Sequence, residues 1–357
     1  EAFGKSNQEI AALSRSCHQS QGFGNTGTRG DESEYIELLK GAPLKDKSDV
    51  FEGIDTSWNR IKNGKQIGML IDQILLHFDY QNPSNSLPEL IKVYNLVDKI
   101  EDEHWKNIKM EELKKIIAAC SGLYLEAVSL NQEATPGEKI SIKSEAINRS
   151  NTKMILKSIQ TSNGVLLVSK PIALNDNQLI TQTFDFQIDS NEKYTQPYYL
   201  ENQGSTGMYN VSNQQLIGIP DVIRNCKIQY TIEMEGTDFT FEKKIVYKYN
   251  DDVKGEVYQP FDVVPVVTSS IKEKVYLFTN NREKQIAVKI KAGKNDISGK
   301  IKLEIPENWK VSPLEQTFTI LKKGDELELA FFVTPSNEDS EGSIKSKIEI
   351  ENQLFDK

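Results

Sequence analysis

The residues best suited to chemistry lie close together near the start of the sequence. The stretch SRSCHQSQGFG, residues 14–24, places the thiol of Cys17 beside the imidazole of His18. A thiol becomes a nucleophile when a nearby base accepts its proton. Adjacent residues of a helix diverge by about 100° and do not face each other. The order of these two residues therefore argues against a catalytic dyad.

The three histidines of the chain do not form a metal-binding motif. His18, His77 and His104 are far apart, and none belongs to a His-Glu-x-x-His, His-x-x-His or His-Pro-Asp-Asp motif. A zinc site built on histidines would have to collect its ligands from distant segments. His77 closes a helical pattern and His104 lies in an acidic stretch that we expect to be an exposed turn. The sequence predicts neither a catalytic nor a metal-binding residue.

A glycine-rich stretch, GFGNTGTRG at residues 22–30, superficially resembles a phosphate-binding loop. Such a loop follows a strand, and the Walker type also needs a Gly-Lys-Ser/Thr sequence. Here a helical pattern precedes the loop and lysine is absent. Arg29 is nevertheless a candidate ligand for an anion or a sugar. Farther along, Asp251 and Asp252 fit a β-turn better than a calcium loop, because the spaced ligands of such a loop are missing.

Composition restricts the classes of partner. The 357 residues carry a net charge of −9 and no basic stripe, which excludes nucleic acid as the expected partner. No run of about 18 apolar residues occurs, so no membrane span is expected. Three cysteines, Cys17, Cys120 and Cys226, make neither a disulfide framework nor a zinc pattern. We expect Cys120 and Cys226 to be buried and unpaired.

Hydrophobic periodicity predicts helices in the first third of the chain. A helix capped by Ser6 or Asn7 precedes the glycine loop, and ESEYIELLKG, residues 32–41, predicts a second helix. Residues 46–130 predict an antiparallel bundle of three amphipathic helices. Ser86 and Glu89 have the spacing of a capping box. The last helical stripe includes Leu123 and Tyr124.

Alternating patterns replace the helical ones from residue 131. Residues 131–265 predict a β-sandwich, interrupted by an irregular loop at 194–220 that is rich in Tyr, Asn, Gln and Gly. Within that loop, Tyr198 and Tyr199 are candidate glycan-binding residues. Residues 266–357 predict a second sandwich, with KVYLFTN, residues 274–280, as one of its strands. The predicted fold is a multidomain α+β chain: an N-terminal helical bundle followed by two immunoglobulin-like β-sandwiches.

Several segments, in this order, resemble one family. AALSRSCHQSQGFGNTGTRGDESEYIELLKG, residues 11–41, resembles the closing segment of the PIG-L (LmbE-like) deacetylase domain, with Ala12-Leu13, His18 and Ser20-Gln21 at the matching positions. Residues 122–151 and 241–265 resemble the accessory part of the large PIG-L proteins of Bacteroidetes-type bacteria. IPENWKVSPLEQTFTILKKGDELELAFFVTP is similar to the NEW3-type immunoglobulin-like module.

The resemblance implies a zinc-dependent enzyme that removes acetyl groups from N-acetylglucosaminyl-type sugars. In that family the zinc ligands and the base lie in Pro-His-Pro-Asp-Asp and His-x-x-His motifs, and this chain has neither. Residues 1–45 then correspond to the tail of the deacetylase domain, where His18 and Gln21 would border its active site. Zinc would belong to an absent N-terminal catalytic domain, which is the implied partner, in the periplasm or outside the cell.

The sequence thus predicts an accessory, non-catalytic portion of such a deacetylase. Its first residue is not methionine and its last residues form an unclosed strand pattern, so we expect a piece of a longer polypeptide. A stand-alone carbohydrate-binding or adhesion protein is the alternative. A third possibility is an enzyme with a site around Asp251 and Glu256.

Overall fold

A computed structural model describes residues 4–220 and 222–355. These residues divide into two compact units, with the boundary between Ser57 and Trp58. The helices are α1 (Asn7–Ser16), α2 (Lys65–Leu76), α3 (Leu87–Val97) and α4 (Glu103–Cys120). The first strands are β1 (Leu123–Ser129), β2 (Glu133–Ala134), β3 (Lys139–Asn148), β4 (Met154–Thr161), β5 (Leu166–Val168), β6 (Ile172–Leu174) and β7 (Ile180–Gln187). Next come β8 (Lys227–Met234), β9 (Thr237–Lys244), β10 (Val246–Asp251), β11 (Gly255–Pro260) and β12 (Asp262–Val263). The last are β13 (Val267–Ile271), β14 (Lys284–Ala292), β15 (Ile297–Glu304), β16 (Lys310–Ser312), β17 (Gln316–Ile320), β18 (Glu326–Thr334), β19 (Lys345–Ile350) and β20 (Gln353–Phe355).

In the first unit, helix α1 begins with the capping box that the sequence permits. The Ser6 hydroxyl accepts the Glu9 amide, and the Glu9 carboxylate accepts the Ser6 amide. The glycine loop then runs back along the helix. A Cβ on Gly27 would lie 2.6 Å from the Glu9 Cα, so only glycine permits this close approach. The predicted cap at Ser6 is confirmed.

The second predicted helix of this unit is wrong, because residues 31–39 have no regular secondary structure. Its apolar side chains are exposed: Tyr35 by 94%, Ile36 by 76% and Leu39 by 89%. A helix this short is stable only when its apolar face packs against a partner. The described part of the first unit offers these side chains no such surface.

The helices of the second unit follow their predicted patterns with two differences. Ser86 ends a short 3-10 turn and its side chain makes no capping bond, so the predicted capping box with Glu89 is wrong. Helix α4 ends at Cys120 because Gly122 takes a left-handed φ of 63°. Leu123 and Tyr124, predicted to be helical, therefore belong to β1.

Two large sheets follow the helices, together with a two-stranded parallel pair of β2 and β12. One has the strand order β11-β10-β1-β3-β7 and the other β5-β4-β8-β9, with β6 also paired to β4. Neighbouring strands of the large sheets are antiparallel except β1 and β10, which pair in parallel between Val128 and Val246. Helices α2, α3 and α4 and both sheets share one hydrophobic core, in which Tyr94 of α3 lies 4.9 Å from Phe239 of β9 between ring centroids.

The segment FTFEKKIVYKY, residues 239–249, contributes to two strands in two different sheets. Strand β9 pairs with β8, whereas β10 pairs with β1 and β11. Buried Ile245 stands between them, and its amide donates to the carbonyl of Cys226. The chain thus crosses from one sheet to the other at a single residue, and this crossing joins the two sheets.

The last part of the chain has its own core between two four-stranded sheets, β13-β14-β18-β16 and β17-β15-β19-β20. Strands β14 and β18 place Ile286, Val288, Phe331 and Val333 in this core, fully buried. The predicted strand at 274–280 is wrong. Tyr276 and Phe278 of that segment pack against the core while Val275 and Leu277 are exposed, but the segment pairs with no strand. The alternating side chains of this segment therefore reflect packing against the core, and not strand pairing.

The structure confirms a mixed chain in which the helices precede a β-rich part built of several sheets. Both β-regions are sandwich-like, because each has a hydrophobic core lined by two sheets.

Candidate binding site

The connection between β7 and β8, residues 188–226, has no strand among its described residues, as predicted for 194–220. It is nevertheless tied to β12. The Thr195 amide donates to the Val263 carbonyl over 2.8 Å, and the Val263 amide donates to the Thr195 hydroxyl over 2.9 Å. The Arg224 Nε lies 2.9 Å from the Asp262 carboxylate. Both ends of the connection are therefore fixed to the same short strand.

A cavity of about 340 Å³ lies between these fixed ends. Its apolar lining includes Cys226, Phe261 and Val263, and all three side chains are buried. Its polar lining consists of amide, hydroxyl and charged side chains: Glu192, Lys193, Tyr194, Thr195, Gln196, Tyr198, Glu201, Asn213, Arg224 and Asn225. Internal bonds hold part of this lining, since Asn225 donates to Glu192 over 2.9 Å and Lys193 pairs with Glu201 over 2.7 Å.

Three tyrosines stand together at this cavity. Tyr198 lines it and lies edge-on to Tyr199 at 5.4 Å between ring centroids, and Tyr199 in turn lies 5.0 Å from Tyr209. Tyr199 is 37% exposed and Tyr209 is 67% exposed. The structure therefore places the predicted residue Tyr198 on the cavity and Tyr199 beside it. The sequence alone did not indicate Tyr209.

This arrangement suits a neutral polar ligand that has apolar faces. A sugar ring presents C–H groups that pack on an aromatic side chain, and its hydroxyls exchange hydrogen bonds with amides such as Asn213 and Asn225. A concave site with an apolar floor and a few converging polar groups is the usual form of a small-molecule site. The segment's composition in Tyr, Asn and Gln was the signal for it in the sequence.

The cysteine in the cavity is not a nucleophile. Burial raises the pKa of the Cys226 thiol to about 12, and the nearby Glu192 charge acts in the same direction. A thiol with so high a pKa is almost entirely protonated at neutral pH and reacts slowly. Among the described residues Cys17, Cys120 and Cys226 are all free thiols. Cys226 is buried as predicted, whereas Cys120 is partly exposed.

The N-terminal candidates are spread along α1. His18 and Gln21 are exposed just after the helix, in a short turn where the His18 ring meets Phe23. Arg29 pairs with Glu9 over 3.0 Å, in the first turn of the helix. A ten-residue helix is about 15 Å long. The structure therefore holds Arg29 at one end of α1 and His18 with Gln21 at the other.

Glu256, which the third possibility placed in a site with Asp251, belongs to a polar cluster whose other members the sequence did not indicate. Glu126 on β1 is 7% exposed, and its carboxylate accepts from Lys248 on β10 and from the Tyr258 hydroxyl on β11, each over 2.6 Å. The same hydroxyl lies 2.6 Å from a Glu256 oxygen. Asp251 instead accepts the amides of Val253 and Lys254 in the β10–β11 turn, as predicted for a β-turn.

Electrostatics indicate that this cluster stabilises the sheet. Burial would raise the pKa of Glu126, but hydrogen bonds from Lys248, Tyr258 and Tyr124 outweigh it, and the pKa is below its ordinary value. Hydrogen bonds to Glu126 and Glu256 raise the pKa of Tyr258. Burial opposes protonation of Lys248, yet the Glu126 contact raises its pKa. The pKa shifts of Glu126, Lys248 and Tyr258 thus each favour the charge state that bonds to its partner.

The remaining histidines do not join a site. His77 caps the end of α2, where its Nδ1 lies 2.9 Å from the Gln73 carbonyl oxygen, as expected for a C-terminal histidine. His104 lies in the first turn of α4, and not in the predicted loop, with its ring edge against Trp105. Within residues 4–220 and 222–355, no group of three or more His, Cys, Asp or Glu side chains is arranged to hold a metal ion. In the same residues no helix is long and apolar enough to cross a membrane.

No family model matches this chain, and no curated protein sequence matches it significantly. Among solved structures it is similar to Salmonella alpha-2-macroglobulin reacted with methylamine, at 11% identity and a TM-score of 0.23, over 64% of this chain and 15% of that one. It is also similar to red sea bream transglutaminase, at 9% identity and a TM-score of 0.25, over 70% and 32% of the two chains. Escherichia coli alpha-2-macroglobulin activated by porcine elastase gives 11% identity and a TM-score of 0.22, over 64% and 20%. The chain spans at most 32% of the length of these structures, and the TM-scores are too low to establish a shared fold.

Proposed function

We propose that this chain is the non-catalytic accessory portion of a PIG-L-type deacetylase and that it binds glycan at the cavity between residues 192 and 226. The observation that supports glycan binding is the group of Tyr198, Tyr199 and Tyr209 at a cavity of about 340 Å³ lined by amides and hydroxyls. A cavity of this size accommodates one or two sugar units, and tyrosines supply rigid faces for them.

The deacetylase assignment rests on the resemblance of residues 11–41 to the end of a PIG-L catalytic domain and of the later segments to the accessory part of such proteins. On this proposal the catalytic domain is the chain's partner and holds the zinc. Zinc would supply a metal-bound water that attacks the amide of an N-acetylglucosaminyl-type sugar. The described residues contain no fitting set of ligands, so no step of that chemistry is assigned to them.

The accessory role is to hold the glycan close to the catalytic domain. Binding a long substrate at a second site raises its effective concentration at the first, without any new contact at the reacting bond. The two β-regions would be immunoglobulin-like sandwiches that serve as a scaffold for this site. We place the protein in the periplasm or outside the cell, where such polysaccharides are accessible.

The catalytic part of the proposal is tested by incubating the purified chain with zinc and N-acetylglucosamine oligomers and measuring the acetate released. We expect none above a protein-free control. Zinc-dependent turnover would overturn the accessory assignment. Adding the separately expressed catalytic domain should restore turnover, and the accessory chain should lower the KM for long oligomers more than for the monosaccharide.

The binding part is tested on a glycan array with the whole chain. Tyr199→Ala and Tyr209→Ala should each weaken binding about tenfold, since a lost aromatic contact commonly contributes about 1–1.5 kcal/mol. Tyr80→Ala is the matched control, because Tyr80 is 87% exposed and belongs neither to the cavity lining nor to the group of Tyr198, Tyr199 and Tyr209. A flat array, or equal loss in the control, would refute the site.

A stand-alone carbohydrate-binding protein is the second candidate, and the same tyrosine group supports it. The two functions differ in their need for a catalytic domain. Glycan binding together with no association of the chain with any PIG-L catalytic domain in pull-down would favour the stand-alone function.

A further inference from the structure

A second and larger concave surface lies in the last β-region. It is a cleft of about 860 Å³ between the segment 273–281, which belongs to no strand, and the loop 335–344, and Pro306 and Trp309 also line it. The loop is held by its own side chains: the Ser336 hydroxyl donates to the Glu338 carbonyl over 2.9 Å and lies 3.0 Å from the Ser340 hydroxyl. The two walls are also joined to each other, because the Asn281 amide donates to the Asn337 side-chain oxygen over 2.8 Å.

Three partly buried aromatic side chains, Tyr276, Phe278 and Trp309, line the inner part of this cleft. Phe278 and Trp309 meet edge to face with their ring centroids 5.0 Å apart. The Trp309 indole N–H donates to the Ser340 hydroxyl over 3.1 Å, so the ring is held in one orientation. Aromatic faces attract the C–H groups of a sugar and the positive charge of an organic cation.

The rim of the cleft is acidic. Glu273, Glu338, Asp339 and Glu341 line it, whereas Lys274 is the one basic residue in the lining. Elsewhere in this β-region four carboxylates have lysine partners, as in the pairs Lys289–Glu326 and Lys347–Glu304. No salt bridge is found for the four rim carboxylates within the described residues 265–355. The cleft thus combines aromatic surface with uncompensated negative charge.

We propose that this cleft binds a cationic amino sugar, meaning a glucosamine-type unit with a free ammonium group. The aromatic side chains would pack on its ring, and the rim carboxylates would attract its ammonium. This inference rests on the proposed function, because a deacetylase converts neutral N-acetylated units into such cations. The cleft would then retain the product strand next to the catalytic domain while the next unit is processed.

Charge complementarity selects this ligand among sugars. A neutral N-acetylated sugar can donate hydroxyl hydrogen bonds to the carboxylates but gains no net charge attraction from them, and an anionic sugar is repelled. A basic peptide has the required charge but lacks the flat C–H face that three aromatic rings accommodate. Because the rim is exposed to solvent, its attraction is screened by salt.

The test is calorimetric titration of the whole chain with the glucosamine tetramer and with the matched N-acetylglucosamine tetramer. We expect the cationic tetramer to bind about tenfold more tightly at low salt, and this preference to shrink at high salt. Equal affinities, absence of binding, or tighter binding of a lysine tetrapeptide than of the glucosamine tetramer would each overturn the proposal.

A charge-matched pair of variants assigns the preference to the cleft. Glu338→Gln with Asp339→Asn and Glu341→Gln should abolish the preference, because it removes three rim charges without changing side-chain size. Glu315→Gln with Glu328→Gln and Glu349→Gln removes the same charge outside the cleft lining and should retain it. Both sets are exposed, so folding is checked simply by an unchanged unfolding midpoint.

This test is independent of the first cavity. Tyr199→Ala should leave the glucosamine preference intact, since Tyr199 lies outside the cleft lining. If the array fails and the amino-sugar preference persists, the cleft stands and the cavity proposal falls. If the cleft variants have no effect while the array loses binding in Tyr199→Ala, only the amino-sugar inference fails.

Discussion

The two β-regions of this chain solve the same packing problem with different chemistry. The core of the first includes buried polar groups that are all bonded, such as Ser144 with Tyr230 and Glu126 with Lys248. In the described part of the second, every buried residue other than glycine is apolar. The comparison shows that a core between two sheets can contain a network of hydrogen-bonded polar groups or can consist of packed apolar side chains only. It also predicts which changes affect the stability of each region. Changes of pH and of charged residues should destabilise the first region, whereas substitutions that create a cavity should destabilise the second.

The largest effect is expected in the apolar core. Phe331 on β18 is fully buried, so Phe331→Ala should lower the free energy of unfolding by about 3–5 kcal/mol. The next residue, Phe332, is 40% exposed on the opposite face, and Phe332→Ala should cost less than about 1.5 kcal/mol. Urea unfolding followed by fluorescence measures both. Equal losses would show that this core is not organised as described.

The buried ion pair of the first region should follow. Lys248→Met leaves the Glu126 carboxylate without its cation, and we expect a loss of about 2–3 kcal/mol in the free energy of unfolding. Adding Glu126→Gln should recover part of this loss, because the uncompensated charge is then gone. The control is Lys289→Met, whose pair is about half exposed and screened by solvent, so its loss should change the free energy of unfolding far less. A larger loss in the double variant than in Lys248→Met would contradict this account.

Acid should affect the first region through the same carboxyl. The pKa of Glu126 is lower in the folded chain than its ordinary value of 4.5, so its ionised form stabilises the fold above that pH. This stabilisation is lost as the pH falls below 4.5 and through the folded pKa. The Tm of Glu126→Gln should therefore fall less steeply than that of the original chain between about pH 5 and about pH 2. If the Tm of both chains fell equally with pH, protonation of Glu126 would not contribute to the acid sensitivity of the fold.

The smallest effect concerns the thiols. Cys17 is exposed and should react quickly with iodoacetamide, whereas Cys226 is buried with a raised pKa and should react only when the fold opens. Mass spectrometry of the alkylated peptides at successive times measures this order. Cys17→Ser should leave the Tm unchanged, and rapid labelling of Cys226 would show that the cavity floor is open to solvent.

The sequence correctly predicted the elements that depend on interactions between residues close together in the chain. The Ser6 cap and alternating strands such as β3, β8 and β14 depend on neighbours in sequence, and the structure confirms them. The wrong predictions concern segments whose secondary structure depends on packing or pairing with residues distant in sequence. Residues 32–41 have a helical stripe without a surface to bury it, and residues 274–280 alternate like a strand without a neighbour to pair with.

The candidate sites show the same division. Tyr198 and Tyr199 stood out because their segment is rich in tyrosine and amides, yet the cavity they border also needs Phe261 and Val263 from β11–β12. Glu126, Lys248 and Tyr258 are unremarkable in three separate strands and meet only because β10 lies between β1 and β11. Side chains that converge through sheet topology leave no signal in sequence spacing.

The crossing at Ile245 determines when the first β-region can be completed during synthesis. Strand β1 emerges early, but its parallel partner β10 follows only after more than a hundred further residues. Until then β1 has one open edge, which exposes unpaired backbone groups to other chains. A nascent chain stopped at residue 244 would be prone to aggregate, whereas one that extends to residue 264 can close the sheet. The edge of β1 therefore stays unpaired until the chain has been synthesised past Ile245.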